Sequence, residues 1–387
     1  MITPSFSLDF TSAVLGPEVT FTRTTSASNP ATYINSTGLL SLATNNQPRF
    51  NYDPVTLACK GLLIEESRTN LLLRSESFGT SPWIGAGITA DQITAPDGNN
   101  TADLGTFTGG VNDLLYQTVA VTASTTYTFT CYVKLGTMAA GDYKIAFYNN
   151  TAASFIVTGA VPAEPLSNSV WTRISYSVTT PAGCTSMRVY AFRNPSVPAN
   201  STIYFWGAQL EAGAFATSYI PTTATALTRN ADVATITGTD FSDWWQAGLG
   251  GATVQALPST VSGIRPLIQF DDGTANEIIA LRGNTTNPEL YIVDGGTPQA
   301  QIDAGTIASN TNYSLTGWWA TNDCKARLDS GAVVTDTSAT IPTVTQAQLG
   351  SDGTNYLNGH LASISYYDSF SEQIYTRRKN KAVFNLM

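Results

Sequence analysis

The sequence predicts an all-β protein built from tandem β-sandwich modules, and three observations carry that reading. Runs such as "TYTFTCYVKL" and "SMRVYAFR" alternate apolar with polar residues at the period of a half-buried strand. Gly, Asn and Pro separate these runs at hairpin intervals with no helical pattern between them, which favours sandwiches or jelly rolls over β/α architectures. Charged residues make up 12% of the chain and hydrophobic ones 42%; ordinary globular chains carry about 25% charge, so the outer faces are neutral and hydroxyl-rich. The length of 387 residues suits two or three compact units.

In chain order, residues 1–75 hold short runs ("SFSLDF", "VTFTRT", "ATYINSTGLLSL") and then "CKGLLIEESRTNLLLRSESF", read together as an N-terminal adaptor or anchoring region. Residues 76–215 form the first sandwich, where Tyr127, Phe129, Cys131 and Val133 line one face of a strand and the intervening threonines the other. Residues 216–232 are a connector. Pro221 fixes its own φ and holds Ile220 extended, and Phe215, Tyr219 and Ile220 are apolar enough to dock on a module, so the connector is expected to be laced down rather than loose. Residues 233–387 form a second sandwich, closed by a short helix starting near Ser371, with Glu372 early and Arg377, Arg378 and Lys379 late.

Nineteen basic residues against 28 acidic ones leave a net charge of −9, and no basic stripe is present to neutralise phosphates, which argues against nucleic acid as a partner. No run approaches the ~20 apolar residues that span a bilayer, and the start "MITPSFSLDF" lacks a positive n-region, so synthesis in a cytoplasm is expected. Cys59, Cys131, Cys184 and Cys324 have no metal-type spacing and read as small hydrophobes rather than disulfide partners.

Two motifs bracket the first sandwich: "GLLIEESRTNLLLRSESF" before it and "FWGAQLEAGAFATSYIPTTATALTRNAD" after it. In that order and spacing they resemble bacteriophage virion proteins of the head-spike or tail-fibre type, in which the pair encloses a carbohydrate-binding-module-like jelly roll. The stretch "NGHLASISYYDSFS" is similar to the closing strand of a concanavalin-A-like or laminin-G-like sandwich. The resemblance implies a structural protein on the virion surface, made in the host bacterial cytoplasm and attached to capsid or tail proteins through its N-terminal region. It also implies a homo-oligomer, a trimer by the symmetry usual in such appendages, with lectin-like sandwiches facing host-surface glycan.

Candidate chemistry is sparse. His360, in the strand-like run "NGHLASIS", reads as an edge or surface histidine without a nucleophile partner nearby in sequence. Paired carboxylates could hydrolyse a glycan, the pairs being Glu65 with Glu66, Asp240 with Asp243, and Asp271 with Asp272. Sugars stack on exposed indoles beside Asp or Asn acceptors, which makes Trp244, Trp245, Asp271, Asp272 and Asn276 the candidate ligand-binding set. Adjacent tryptophans on a strand face opposite ways, so one ring of Trp244/Trp245 and one of Trp318/Trp319 is expected outward. The oxygen-rich loop Asp271 to Asn276 could hold calcium, though without EF-hand spacing. No other cofactor is expected. Three functions compete: a structural virion protein, a glycan-binding module and, least supported, a capsule-degrading hydrolase.

Overall fold

The computed structural model describes residues 3–85 and 87–369; the helix expected from Ser371 lies outside them. The chain is all-β, and its antiparallel sheets form two sandwiches.

The first sandwich pairs two five-stranded sheets. One runs Thr172–Thr179, Thr126–Leu135, Ser201–Ala212, Ala102–Phe107, Ile88–Ile93 and will be called the docked sheet. The other, the open sheet, runs Ser154–Ala160, Ile145–Asn149, Ser186–Arg193, Leu114–Ala120, Ile84–Gly85. Between them lies a core that includes Phe129, Cys131, Val133, Phe147, Met187, Val189, Phe192 and Phe205, as the alternation of these strands dictates. Cys131, Cys184 and Cys324 are buried free thiols, and Cys59 is half-buried and free.

The second sandwich is assembled from both ends of the chain. Its eight-stranded sheet contains Phe6–Asp9, Phe50–Tyr52 and Cys59–Ile64 beside Leu249–Pro258, Tyr313–Ala320, Cys324–Leu328, Val334–Asp336 and Gly359–Tyr367. Phe6 pairs with Tyr366, and Leu63 with His360. The facing seven-stranded sheet begins with Thr20–Thr22, paired to Val233–Thr237, and continues through Gln346–Leu349, Ile264–Asp271, Ile278–Asn284, Asn287–Asp294 and Thr297–Asp303. Residues 1–75, expected to form a separate adaptor, therefore supply strands to both sheets of this sandwich, and the first sandwich is inserted into it. The reason is physical: short strands cannot bury an apolar face alone, and Leu8, Phe10, Phe21, Leu62 and Ile64 join one core with Val254, Phe270, Leu315 and Ile364.

Two short strands cross between the sandwiches, Arg68–Asn70 and Leu227–Arg229, paired antiparallel. Beside them the two bracketing motifs meet. Asn70 donates to Ala208 O at 3.0 Å and Ile220 O at 2.9 Å, and its Oδ1 accepts from Leu72 N and Leu210 N. The connector is laced down as expected, with Tyr219 and Ile220 buried. Its docking also buries Thr128 and Thr130, which alternation assigned to a solvated face: Thr128 donates to Gly213 O, and Arg173 donates to Thr130 Oγ1. Above the docked sheet, Leu40 of an N-terminal hairpin, Thr32–Ile34 paired with Leu40–Leu42, packs with Ala95, Ala102, Trp206 and Tyr219.

The junction is sealed by a buried ion cluster. Arg23 donates to Asp232 at 2.6 Å; Arg49 bridges Asp232 and Glu65, reaching Glu65 at 2.8 Å; and Arg229 lies 3.5 Å from Glu65. These five side chains, 0% to 6% exposed, hold three positive charges against two negative ones. Glu65 also accepts from Ser218 N and Oγ, both at 2.7 Å. Burial alone would raise the Glu65 pKa, but Arg229, Arg49 and the Ser218 donors together hold it far below the ordinary carboxylate range. Gly213, at φ +131°, lies where a Cβ would sit 1.8 Å from Arg68 Nη1, so a side chain there would strain the backbone and push the Arg68 guanidinium off Phe215, on which it stacks at 4.8 Å.

Removing one member of such a cluster strands the others in low dielectric. Asp232→Ala is expected to cost about 3–5 kcal/mol, read from the shift of the urea midpoint; a loss below about 1 kcal/mol would show that water reaches the junction and solvates the arginines.

Candidate functional site

The two faces of the first sandwich have different fates. The docked sheet is covered by the connector and the N-terminal hairpin, whereas the open sheet presents a face of interleaved aromatic and guanidinium groups. Alternation places them: in Ser186–Arg193, Met187 and Val189 point into the core, so Arg188 and Tyr190 project from the other side. Registration across strands aligns them, with Tyr190 opposite Tyr116 on one neighbour and Ala146 on the other. Arg188 lies opposite Tyr148, which in turn lies opposite Phe155.

The rings form a contiguous group. Tyr116 and Tyr190 have centroids 4.9 Å apart, Tyr148 and Phe155 4.9 Å, and Phe155 and Tyr190 6.2 Å. Arg188 sits 5.2 Å from the centroids of both Tyr116 and Tyr148, and Arg193 sits 4.5 Å from that of Phe155. Such contacts occur about once per 70–80 residues in folded proteins, so three on one sheet face is a concentration. Phe155 is 36% exposed, Tyr116 and Tyr148 are half-buried, and Tyr190 is packed beneath them. The face offers flat apolar area with phenolic and guanidinium hydrogen-bonding groups along it.

The residues expected to bind ligand lie elsewhere, on the second sandwich. Trp244 and Trp245 are not on a strand; they follow the short helix Thr239–Ser242. Both pack on the core, Trp244 stacked on Phe6 at 4.4 Å with its Nε1 donating to Asp240 O, and Trp245 stacked on Phe241 and Tyr366, each at 5.1 Å. Trp318 and Trp319 are both 1% exposed, against the expectation that one faces outward. Trp319 joins the core, and Trp318 lies over Gly251, where a Cβ would come within 2.5 Å of its ring.

Asp271 and Asp272 do not converge. Asp271 is buried and accepts from Gln346 Nε2 at 2.6 Å, Gln348 Nε2 at 2.7 Å, Gln269 Nε2 at 2.9 Å and Gly273 N at 2.8 Å. Asp272 is exposed and caps Thr274, whose hydroxyl and amide pull its pKa below the ordinary value; Asn276, also exposed, is held by the Thr274 hydroxyl. A calcium ion at Asp271 would have to displace those four donors. Among the described residues no three His, Cys, Asp or Glu side chains are grouped to hold a metal ion.

His360 is neither at an edge nor at the surface. Its strand Gly359–Tyr367 lies between Leu249–Pro258 and Cys59–Ile64, and its Nε2 is 3.0 Å from Asn51 Nδ2. Burial, with Lys60 adding repulsion, pushes its pKa down to about 4.

No family model matches this chain, and no curated protein does. Among solved structures it is similar to the CBM40 of a Ruminococcus gnavus IT-sialidase bound to α2,3-sialyllactose, at 13% identity and a TM-score of 0.29, covering 33% of this chain and 80% of that one. The CBM22 tandem of Paenibacillus barcinonensis Xyn10C gives 11% identity and a TM-score of 0.29, covering 79% and 97% of the two chains. Domains LG4-5 of the mouse laminin α1 chain give 12% and 0.24, covering 74% and 91%.

Two outcomes follow. Trp245→Ala removes a half-buried ring packed against the core and is expected to cost about 1–3 kcal/mol; a melting temperature unchanged in calorimetry would overturn that packing role. For His360, the unfolded chain takes up a proton near pH ~6.5 and the folded one only near 4. Stability therefore falls as pH drops through that interval, by up to about 3 kcal/mol, and His360→Gln should flatten the decline in urea titrations at pH ~7, ~5.5 and ~4.5. A decline equally steep in the variant would mean that other groups carry it.

Proposed function

We propose that this chain is a non-catalytic structural protein of the bacteriophage virion surface, a homo-oligomer that binds host-surface glycan through the aromatic face of its inserted sandwich. The observation that carries the glycan reading is the Tyr116, Tyr148, Phe155 and Tyr190 face interleaved with Arg188 and Arg193. Pyranose rings present apolar C–H faces that stack on such rings, and their hydroxyls accept from guanidinium and exchange bonds with phenol groups. The phage assignment is supported by the two bracketing motifs, and the trimer by the symmetry of the proteins they resemble. The non-catalytic reading is supported by where the candidate acids are spent: Glu65 on arginines, Asp271 on glutamines, Asp272 on its own turn.

Residues 1–75, expected to anchor the chain as an adaptor with the last sandwich facing outward, are strands of that last sandwich, pairing Phe6 to Tyr366 and Leu63 to His360. In this reading the composite sandwich, completed by residues 1–75, docks on capsid or tail proteins and presents the inserted module outward.

Tyr148→Ala and Phe155→Ala should each weaken binding to immobilised host-surface polysaccharide about tenfold, with melting temperature within a few degrees of the parent, since both rings lie at the surface. Unchanged binding by both variants would end the glycan reading of this face, and a change in their mass by light scattering would assign it to a subunit contact instead. Separately, antibody labelling should decorate intact particles and light scattering should give a trimer; unlabelled particles overturn the virion assignment, and a monomer at high concentration overturns the trimer.

A further inference from the structure

The guanidiniums on the open sheet differ in pairing from those at the junction. Arg23, Arg49 and Arg229 share Asp232 and Glu65; Arg68 pairs with Glu66 and Arg282 with Glu289. Arg265 donates to the carbonyls of Gly263 and Thr285. Arg188 and Arg193 lie over aromatic rings with no carboxylate in ion-pair contact among the described residues, and Arg193 spends one nitrogen on Thr158 O. In a chain with 28 acidic residues against 19 basic ones, two half-buried arginines left without an acid are an unmatched positive centre.

We propose that the open-sheet face selects acidic saccharides, with Arg188 and Arg193 receiving carboxylate or sulfate groups while Tyr148 and Phe155 stack the sugar rings. This rests on the glycan reading above and names its ligand class. The geometry suits the task. Tyr116 and Tyr148 flank the Arg188 guanidinium and Phe155 lies against that of Arg193; these rings restrict the rotamers and strip part of the hydration, so less entropy is lost when an anion docks, and the planar fork can hold a carboxylate or sulfate through two parallel bonds. Arg188, on a central strand, and Arg193, at the far end of the same strand, are separated by Tyr190 and the bulge that follows it, so they address two points along a chain rather than one sugar. A polysaccharide with acidic groups on successive residues could engage both. The overall charge of −9 works against indiscriminate attraction of polyanions, which makes binding dependent on this face rather than on bulk charge.

The test uses the full-length protein and three immobilised panels: a uronate-containing polysaccharide, the same polymer with its carboxylates reduced to alcohols, and a sulfated neutral polymer with its unsulfated parent. Binding to the uronate or the sulfated polymer, lost at least tenfold on carboxylate reduction or in the unsulfated parent, is the expected result, and the panel that binds tells carboxylate from sulfate. Arg188→Gln and Arg193→Gln should each lose about tenfold, Arg188→Lys should recover only part, and the parent's affinity should fall as salt rises. If the reduced and unsulfated polymers bind as well as their charged forms and the glutamine variants match the parent, the acidic class is refuted while glycan binding stands. If no polymer binds the folded parent, the glycan reading itself fails and this inference falls with it.

Discussion

The cluster of Arg23, Arg49 and Arg229 around Asp232 and Glu65 is the constraint on which the two sandwiches depend for their mutual placement. It draws its members from residues 23, 49 and 65 on one side of the insertion and 229 and 232 on the other, so it forms only when both ends of the composite sandwich are in register. Burying five charges is costly, and an apolar plug of similar volume would stabilise as much or more. What charges supply is geometric discrimination: each guanidinium has a fixed fork of donors, and a shifted strand leaves a charge unmatched. Ser218 ties the connector to the same cluster through Glu65 and Arg49, which joins the docking of the inserted module to the closure of the sandwich below it.

That arrangement explains the odd composition of the two bracketing motifs. "EESRTN" and "SYIPTTATALTRNAD" are polar, yet Glu65, Asn70, Thr222, Arg229 and Asp232 within them are buried. Asn70 satisfies four backbone groups, Tyr219 packs on the outer face of the docked sheet, and Gly213 vacates the volume Arg68 needs. Each of these residues answers a requirement set by a partner about 140 or more positions away.

Local pattern accounts for what was legible in the sequence. Period-2 runs gave the strands of the inserted sandwich and the inward set Tyr127, Phe129, Cys131 and Val133, because side-chain alternation is a property of the strand itself. The docking of Tyr219 and Ile220 was legible from apolarity in a connector. The pairing of Phe6 with Tyr366 was not, since short strands separated by about 360 residues carry no mutual signal in their own sequence. The aromatic face was hidden for a related reason. Alternation shows that Arg188 and Tyr190 share a face, but not that this face stays uncovered while Thr128 and Thr130 of the other sheet are sealed. Trp244 and Trp245 were not placeable from composition: the helical turn before them rolls both half-buried rings onto Phe241, a contact their adjacency in sequence does not show.

The pair Arg68–Asn70 and Leu227–Arg229 has a mechanical consequence. Because the chain enters and leaves the inserted module side by side, a pull on that module is shared by two covalent strands running together into the body below. The rungs between them are not unzipped by such a pull, because neither strand is drawn away from the other. Twisting about the same axis winds the two strands against each other and meets resistance that a single-chain tether would not offer. A module hung in this way keeps its heading relative to the body below instead of spinning freely.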